Sequence, residues 1–232
     1  MNNWYPQNPD ELNIILNDFL SAEESFRKNV HGLIVPHAGY EFSGAIAGKA
    51  FSLLKNNKIN KAIVLGPSHY SGFHGIKSLK NIKTPLGKIK ISENEFKEID
   101  YEHSVENQIP FLQKLNFKEI LPLVIGEISN AEAKQIAEAI SKQEAIYIFS
   151  TDLSHFLPYD VAVKKDNQSI KIIENIDFEN WNKIDACGKY PLLIIMHLCR
   201  INNWKPKLIE YKNSGDVAGD KNQVVGYASF FF

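Results

Sequence analysis

Cysteine is scarce in this chain: Cys187 and Cys199 are the two found among 232 residues. Two thiols cannot form a disulfide framework, so each needs its own explanation. An excess of basic charge is also missing. Lys and Arg number 26 against 27 Asp and Glu, and the net charge is -1. No field of the kind that releases counterions from a phosphate backbone follows from that balance, so nucleic acid is not an expected partner. No apolar run approaches the ~20 residues of a membrane span. The opening Met1-Asn2-Asn3-Trp4-Tyr5-Pro6 has neither a basic n-region nor an apolar h-region. A cytoplasmic protein that does not enter the membrane is expected. Phosphate-cradling G-x-G-x-x-G and G-x-x-x-x-G-K-[ST] patterns are absent, and Ser68 beside His69 does not make a serine hydrolase. Repeats, low-complexity linkers and domain boundaries are absent as well.

What is present is an ordinary globular balance, with 44% hydrophobic and 23% charged residues. The length fits one α/β domain over residues 1–232. Asn8-Pro9-Asp10-Glu11, followed by Leu12, Ile15, Leu16 and Leu20, predicts an opening amphipathic helix with Asn8 as cap and Pro9 in its first turn. The apolar runs Gly32–Pro36, Ala62–Pro67, Ile120–Ile125 and Ala145–Phe149 predict buried strands. Helices are expected over Ser43–Asn56, Asn130–Lys142, from Pro158 through Lys171 toward Asn182, and over Tyr190–Asn202. Strands near Lys207–Tyr211 and Val224–Phe231 close the chain. This alternation predicts a central mixed sheet with helices on both faces.

Three of the predicted strands end in polar residues: Pro36-His37-Ala38-Gly39-Tyr40, Gly66-Pro67-Ser68-His69-Tyr70, and Ser150-Thr151-Asp152-Leu153-Ser154-His155. Ligands of open α/β sheets gather at the carboxyl ends of strands, so His37, His69 and His155 are expected to converge on one pocket. Taken singly, each histidine is better explained as a strand-end cap bonded to loop backbone. Tyr101-Glu102-His103-Ser104-Val105-Glu106 precedes an apparent helix at Asn107-Gln108-Ile109-Pro110-Phe111. Its carboxylates and imidazole suit either a site or a capping box between His103 and Glu106. Cys187 lies in Ala186-Cys187-Gly188-Lys189, ahead of an apolar helix whose amides would favour a thiolate, either nucleophile or ligand. Cys199, inside that helix, reads as core, and His31, His74 and His197 read as structural or solvated.

Taken in order, P-H-A-G-Y, G-P-S-H, E-H-S-x-E, D-x-x-H and Cys187-Gly188 resemble the Memo family essentially end to end. That family, represented in prokaryotes by the B protein of the AmmeMemoRadiSam system, is similar in structure to the LigB-type class III extradiol dioxygenases. The resemblance implies a LigB-like fold with a non-haem Fe(II) pocket, Zn and Cu being other ions such donors accept. It matches His37 and His69 to the family's metal-binding histidines, and Cys187 to the Cys that stands where the dioxygenases have a carboxylate. It matches Asp152 and His155 to pocket residues beside the metal, His155 being the expected proton-transfer group, with His103, Glu106, Tyr40 and Ser68 around them. A thiolate for a carboxylate changes metal preference and redox behaviour, so ring cleavage does not transfer with the fold. Radical SAM and AMMECR-type proteins are partners by family association, and animal members are similar to adaptors for phosphotyrosine peptides. This chain is shorter than those between Pro85 and Tyr101, and carries Gly188-Lys189-Tyr190-Pro191 where they have G-R-H-P. The expected function is an iron redox enzyme acting on an unidentified small molecule. The alternatives are a peptide- or protein-binding module and a zinc hydrolase.

Overall fold

A computed structural model of the chain describes residues 4–21 and 30–232, so Met1–Asn3 of the opening stretch lie outside the described residues. In it the apolar runs become β1 (Gly32–Val35), β2 (Lys61–Pro67), β8 (Glu119–Ile125) and β9 (Ile146–Ser150). They lie side by side in the order β1-β9-β2-β8, all parallel. Both faces are covered, which is why these strands read as continuous apolar runs rather than alternating ones. Alternation is nevertheless present. Ile34, Ile63, Leu65, Tyr147 and Phe149 face one core, and Leu33, Val35, Ala62, Val64, Ile146 and Ile148 face the other.

The first core is closed by α5 (Asn130–Ile140), α6 (Tyr159–Asn175) and α7 (Lys189–Asn202), through Ala133, Ala137, Ile173 and the run Leu192–Cys199. The second is closed by α1 (Pro9–Phe19), α2 (Ala45–Ser52) and α4 (Ile109–Lys114), through Leu12, Leu16, Phe51, Phe111 and Leu112. Helix α1 begins as its sequence predicts, the Asn8 carboxamide accepting from the amides of Asp10 and Glu11. The helix expected over Ser43–Asn56 instead opens as a π-turn at Tyr40–Gly44 and ends at Ser52. The stretch past Lys171 stops at Ile176, whose φ of 51° ends α6, and resumes only as a 3-10 turn at Trp181–Lys183.

Short strands absent from the sequence reading extend the sheet past β8. These are β3 (Ile76–Leu79), β6 (Lys90–Ile91) and β7 (Lys97–Ile99), with a hairpin of β4 (Lys83–Thr84) and β5 (Gly87–Lys88) beside them. They also explain how Pro122 sits inside a sheet. Beyond β2, β8 pairs with β6 at Glu119 and Ile120 and with β3 from Leu123 to Ile125. Neither partner reaches Pro122, which has no N–H to offer. At the opposite side β12 (Val224–Phe231) runs antiparallel to β1, flanked by β10 (His155–Leu157) and β11 (Lys207–Asn213). Two short helices complete the fold, α3 (His103–Glu106) and α8 (Ser214–Ala218). Among the described residues, no helix is long and apolar enough to cross a membrane.

One buried charge ties the loop after β9 to this frame. Asp166 of α6 accepts from the Ser154 amide at 2.9 Å and from the Tyr211 hydroxyl at 2.8 Å. Its carboxylate fills the space where a side chain at residue 226 would begin, so only Gly226 fits there. Asp166→Ala strands the buried Ser154 amide and the partly buried Tyr211 hydroxyl and is expected to destabilise the protein by about 2–4 kcal/mol. Urea denaturation reads this directly, and a loss below about 0.5 kcal/mol contradicts it.

Candidate metal centre

All four central strands deliver their carboxyl ends to one edge of the sheet, and there three imidazoles meet. Ligand atoms of His37, His69 and His103 lie within 4.8 Å of one another. His37 and His103 are buried, whereas His69 is open to solvent. The ring centroids are separated by 5.1 Å for His37 and His69, 5.3 Å for His37 and His103, and 4.5 Å for His69 and His103. His37 and His69 were expected here from their strand ends. His103 replaces Cys187 as the third member of the cluster, which departs from the His-His-Cys expectation.

Helix α3 brings His103 in because it lies directly on the end of β2. A Cβ at residue 66 would collide with Ser104 Oγ, so Gly66 permits the approach. Ser104 Oγ then donates to the Pro67 carbonyl at 2.8 Å. Glu102 caps α3 through the Ser104 amide, in place of the capping box expected between His103 and Glu106. The same carboxylate accepts from the His69 amide at 2.7 Å and lies 2.9 Å from His69 Nδ1. Burial alone would raise its pKa, but the nearby His103 ring, the His69 ring and the His69 and Ser104 amides together outweigh burial and hold it far below the usual range. An ionised carboxylate can only accept. His69 Nδ1 therefore carries the proton, and the Nε2 lone pair is left for a ligand. His103 Nδ1 is 3.2 Å from Glu102 Oε1 but badly aligned, so this buried nitrogen has charge attraction without a well-formed hydrogen bond.

His37 is held from four sides. Its amide donates to Asp152 Oδ1 at 2.8 Å, and its Nδ1 lies 2.8 Å from Ser150 Oγ. Its carbonyl accepts from Asn107 Nδ2 at 2.7 Å, while Gln108 Nε2 reaches the Pro36 carbonyl and Ser150 Oγ. Burial, then the neighbouring His69 and His103, lower the His37 pKa well below its ordinary value, so the ring is neutral near pH 7. Ser150, Asn107, Gln108 and the dual role of Glu102 are functional placements that sequence reasoning missed. Asn107 and Gln108 directly follow the E-H-S-x-E stretch, and that adjacency was their one visible signal.

Cys187 stands at the edge of the cluster. Its Sγ is 3.3 Å from His37 Nε2 and accepts from the Asp152 amide at 3.3 Å. The expected thiolate is not what the surroundings favour. Burial, followed by the Asp152 charge, pushes the thiol up to about 12, and the Gly188 amide donates to Thr151 Oγ1 at 2.9 Å. Cys199, in the core as expected, is raised to about 12 by burial alone. The two thiols therefore do not separate by acidity as their sequence contexts suggest.

His155 reaches the neighbourhood on β10, close enough for its charge to act on His37 and Asp152, but outside the three-imidazole cluster. Asp152, expected beside His155 in the pocket, spends Oδ1 on the His37 amide, and burial raises its pKa. Tyr40 is turned into the core, packed on Phe111, its hydroxyl donating to the Asn107 carbonyl at 2.7 Å. Ser68 Oγ donates to the Ser71 carbonyl and shapes the loop carrying His69. His31 stacks on Trp204, His74 pairs with Glu132, and His197 meets Asn130, all away from the centre.

A family model described as Memo-like protein matches residues 2–231. The chain belongs to the Memo family. A MEMO1 family protein of Sulfurisphaera tokodaii is 35% identical over 90% of this chain and 85% of its own length. Another, from Archaeoglobus fulgidus, is 32% identical over 99% of this chain and 96% of its own length. A third, from Thermoplasma volcanium, is 30% identical over 97% and 94% respectively. These Memo proteins match across the same span that carries the imidazole cluster, from β1 through α3.

Burial, then the Glu102 charge, raise Glu106 to about 7. A carboxyl that holds its proton longer in the fold than in the unfolded chain costs stability as pH rises from about 4.5 to about 7. In metal-free protein Glu106→Gln should match the wild type at pH 4 and exceed it at pH 8. The gain should be on the order of 1 kcal/mol, because the side chain is only half-buried. Thermal melts at both pH values check it, and equal melting at pH 8 refutes it.

Proposed function

We propose that this Memo protein is a mononuclear metal-dependent redox protein whose divalent ion is held by His37, His69 and His103, with Cys187 as an adjoining soft donor. The observation that carries this reading is the pairing of His69 Nδ1 with buried, ionised Glu102, which turns Nε2 outward beside two further imidazoles. The donor chemistry fits a borderline cation. His37 is neutral without competition from protons, and buried His103 Nδ1 lacks an aligned partner. Imidazoles and a nearby sulfur accept Fe(II), Zn(II) or Cu(II), and the resemblance to LigB-type dioxygenases favours Fe(II). When bound, that ion supplies electron transfer with dioxygen, which no side chain here provides.

The chain's own residues do the rest. Glu102 and Ser150 orient the rings, and solvent reaches the site past His69. His155 carries protons beside Asp152. The substrate is a small molecule or a short peptide entering from the exposed side, in a cytoplasmic setting where radical SAM and AMMECR-type proteins are candidate partners.

Protein purified without oxygen is expected to hold about one iron per chain and to consume O2. His37→Ala with His69→Ala should abolish metal binding. His103→Ala should weaken it more than Cys187→Ala if the imidazole cluster is the primary set. His155→Gln should keep the metal while lowering turnover about 10²-fold. Zinc without O2 uptake would move the reading to hydrolysis, and unchanged metal content in the double variant would end it.

A further inference from the structure

Beside the imidazole cluster lies a carboxylate that the metal reading does not use. Glu106 ends α3, half-buried, and makes no hydrogen bond or ion pair with any described residue. Among the described residues no Lys or Arg acts on it, and the charged group that does is Glu102, of the same sign. On α3 it stands three residues beyond His103, on whose ring Trp4 and Tyr70 pack. The Tyr5 and Tyr70 hydroxyls both feel the Glu106 charge. Tyr70 packs on Tyr101 at 5.2 Å and meets His103 edge-on at 5.4 Å. Trp4 lies flat on His103, centroids 4.2 Å apart, and its Nε1 donates to the Tyr101 hydroxyl at 3.0 Å. Tyr5 leans on Tyr40, which fixes that side of the group in the core. Tyr70 and Tyr101 remain exposed, so the group opens to solvent.

Ring faces carry negative quadrupole charge, and a half-desolvated carboxylate without a donor is costly. A neutral ligand would leave that cost in place. An anion such as a phosphate ester would be repelled by Glu106 and Glu102, with no Arg or Lys among the described residues acting on Glu106 to offset them. A cation gains from the rings and the carboxylate together. We infer that Glu106, Tyr5, Tyr70, Tyr101 and Trp4 form a receptor for a protonated amine, an alkylammonium or guanidinium group, whose remainder extends to the histidine cluster. That this ligand is a substrate rests on the metal-centre reading; that the receptor takes cations does not.

The Trp4 indole N–H reports on occupancy because it is bonded within the receptor. Titrations of metal-free protein at pH 8 with n-butylammonium, followed by 1H–15N NMR, should move this resonance saturably. n-Butanol should bind at least about tenfold more weakly, and phenyl phosphate should not compete. Glu106→Gln should weaken n-butylammonium at least about tenfold, and Tyr70→Leu, at an exposed wall, several-fold. Equal binding of n-butanol, tighter binding of phenyl phosphate, or unchanged affinity in Glu106→Gln would overturn the inference. Should Glu106→Gln fail to fold, Tyr70→Leu decides, and unchanged affinity there overturns it too. Metal content measured on the same preparation separates the two readings. An amine site in a chain that binds no metal leaves this receptor standing and removes the redox proposal, and the converse result does the reverse.

Discussion

The centre depends on one buried negative charge. Glu102 is fully buried, and a carboxylate in that position is tolerated only if donors replace its water. The donors it collects are the amides of His69 and Ser104 and the His69 ring, with His103 Nδ1 at 3.2 Å. These come from two separate pieces of chain, the loop after β2 and the start of α3. The same charge therefore seats the helix, closes the loop and selects the tautomer of His69. None of the three could shift without leaving the carboxylate unsatisfied, so it is a geometric constraint as well as an electrostatic one. Gly66 makes it possible by letting α3 approach the strand end.

Such economy explains why part of the site was legible in the sequence and part was not. His37 and His69 follow apolar runs that have no choice but to be buried parallel strands, and the carboxyl ends of such strands share one edge. Position along the chain is enough to place them. Glu102 and His103 sit on a helix start, where capping and ligand orientation call for the same residue types. The structure shows that Glu102 does both, so the choice between them had no answer. Asn107 and Gln108 reach back about 70 residues to the His37 loop, a pairing that local pattern cannot carry. The strands from Ile76 to Ile99 were missed because runs of two to four residues are too short for a period to show.

Cys187 shows how a locally sound argument is overruled. An amide-rich turn before a helix does favour a thiolate, and the Asp152 amide does point at Sγ. Yet the residue is packed against His37 with Asp152 close by, and desolvation plus a like charge outweigh the amides. The charge state was set by burial first and then by a partner 35 residues away in sequence, neither of which a reading of Asp185 to Pro191 could supply.

The same balance bears on how the centre would take a cation. Burial and the presence of two other imidazoles already keep His37 neutral, so this donor needs no deprotonation. Cys187 is in the opposite condition, because its thiol must lose a proton against a strong preference before sulfur can bind as thiolate. Binding through His37 would therefore come without a proton cost near pH 7, whereas binding through the Cys187 sulfur would be linked to proton release and strengthen as pH rises. A nearby divalent charge is the one change that would reverse the effect of Asp152 on the thiol, since opposite charge favours the ionised form. Were the proposed ion bound, the imidazoles would hold it first and the sulfur would follow only with the ion close, an order that rests on electrostatics already built into the fold.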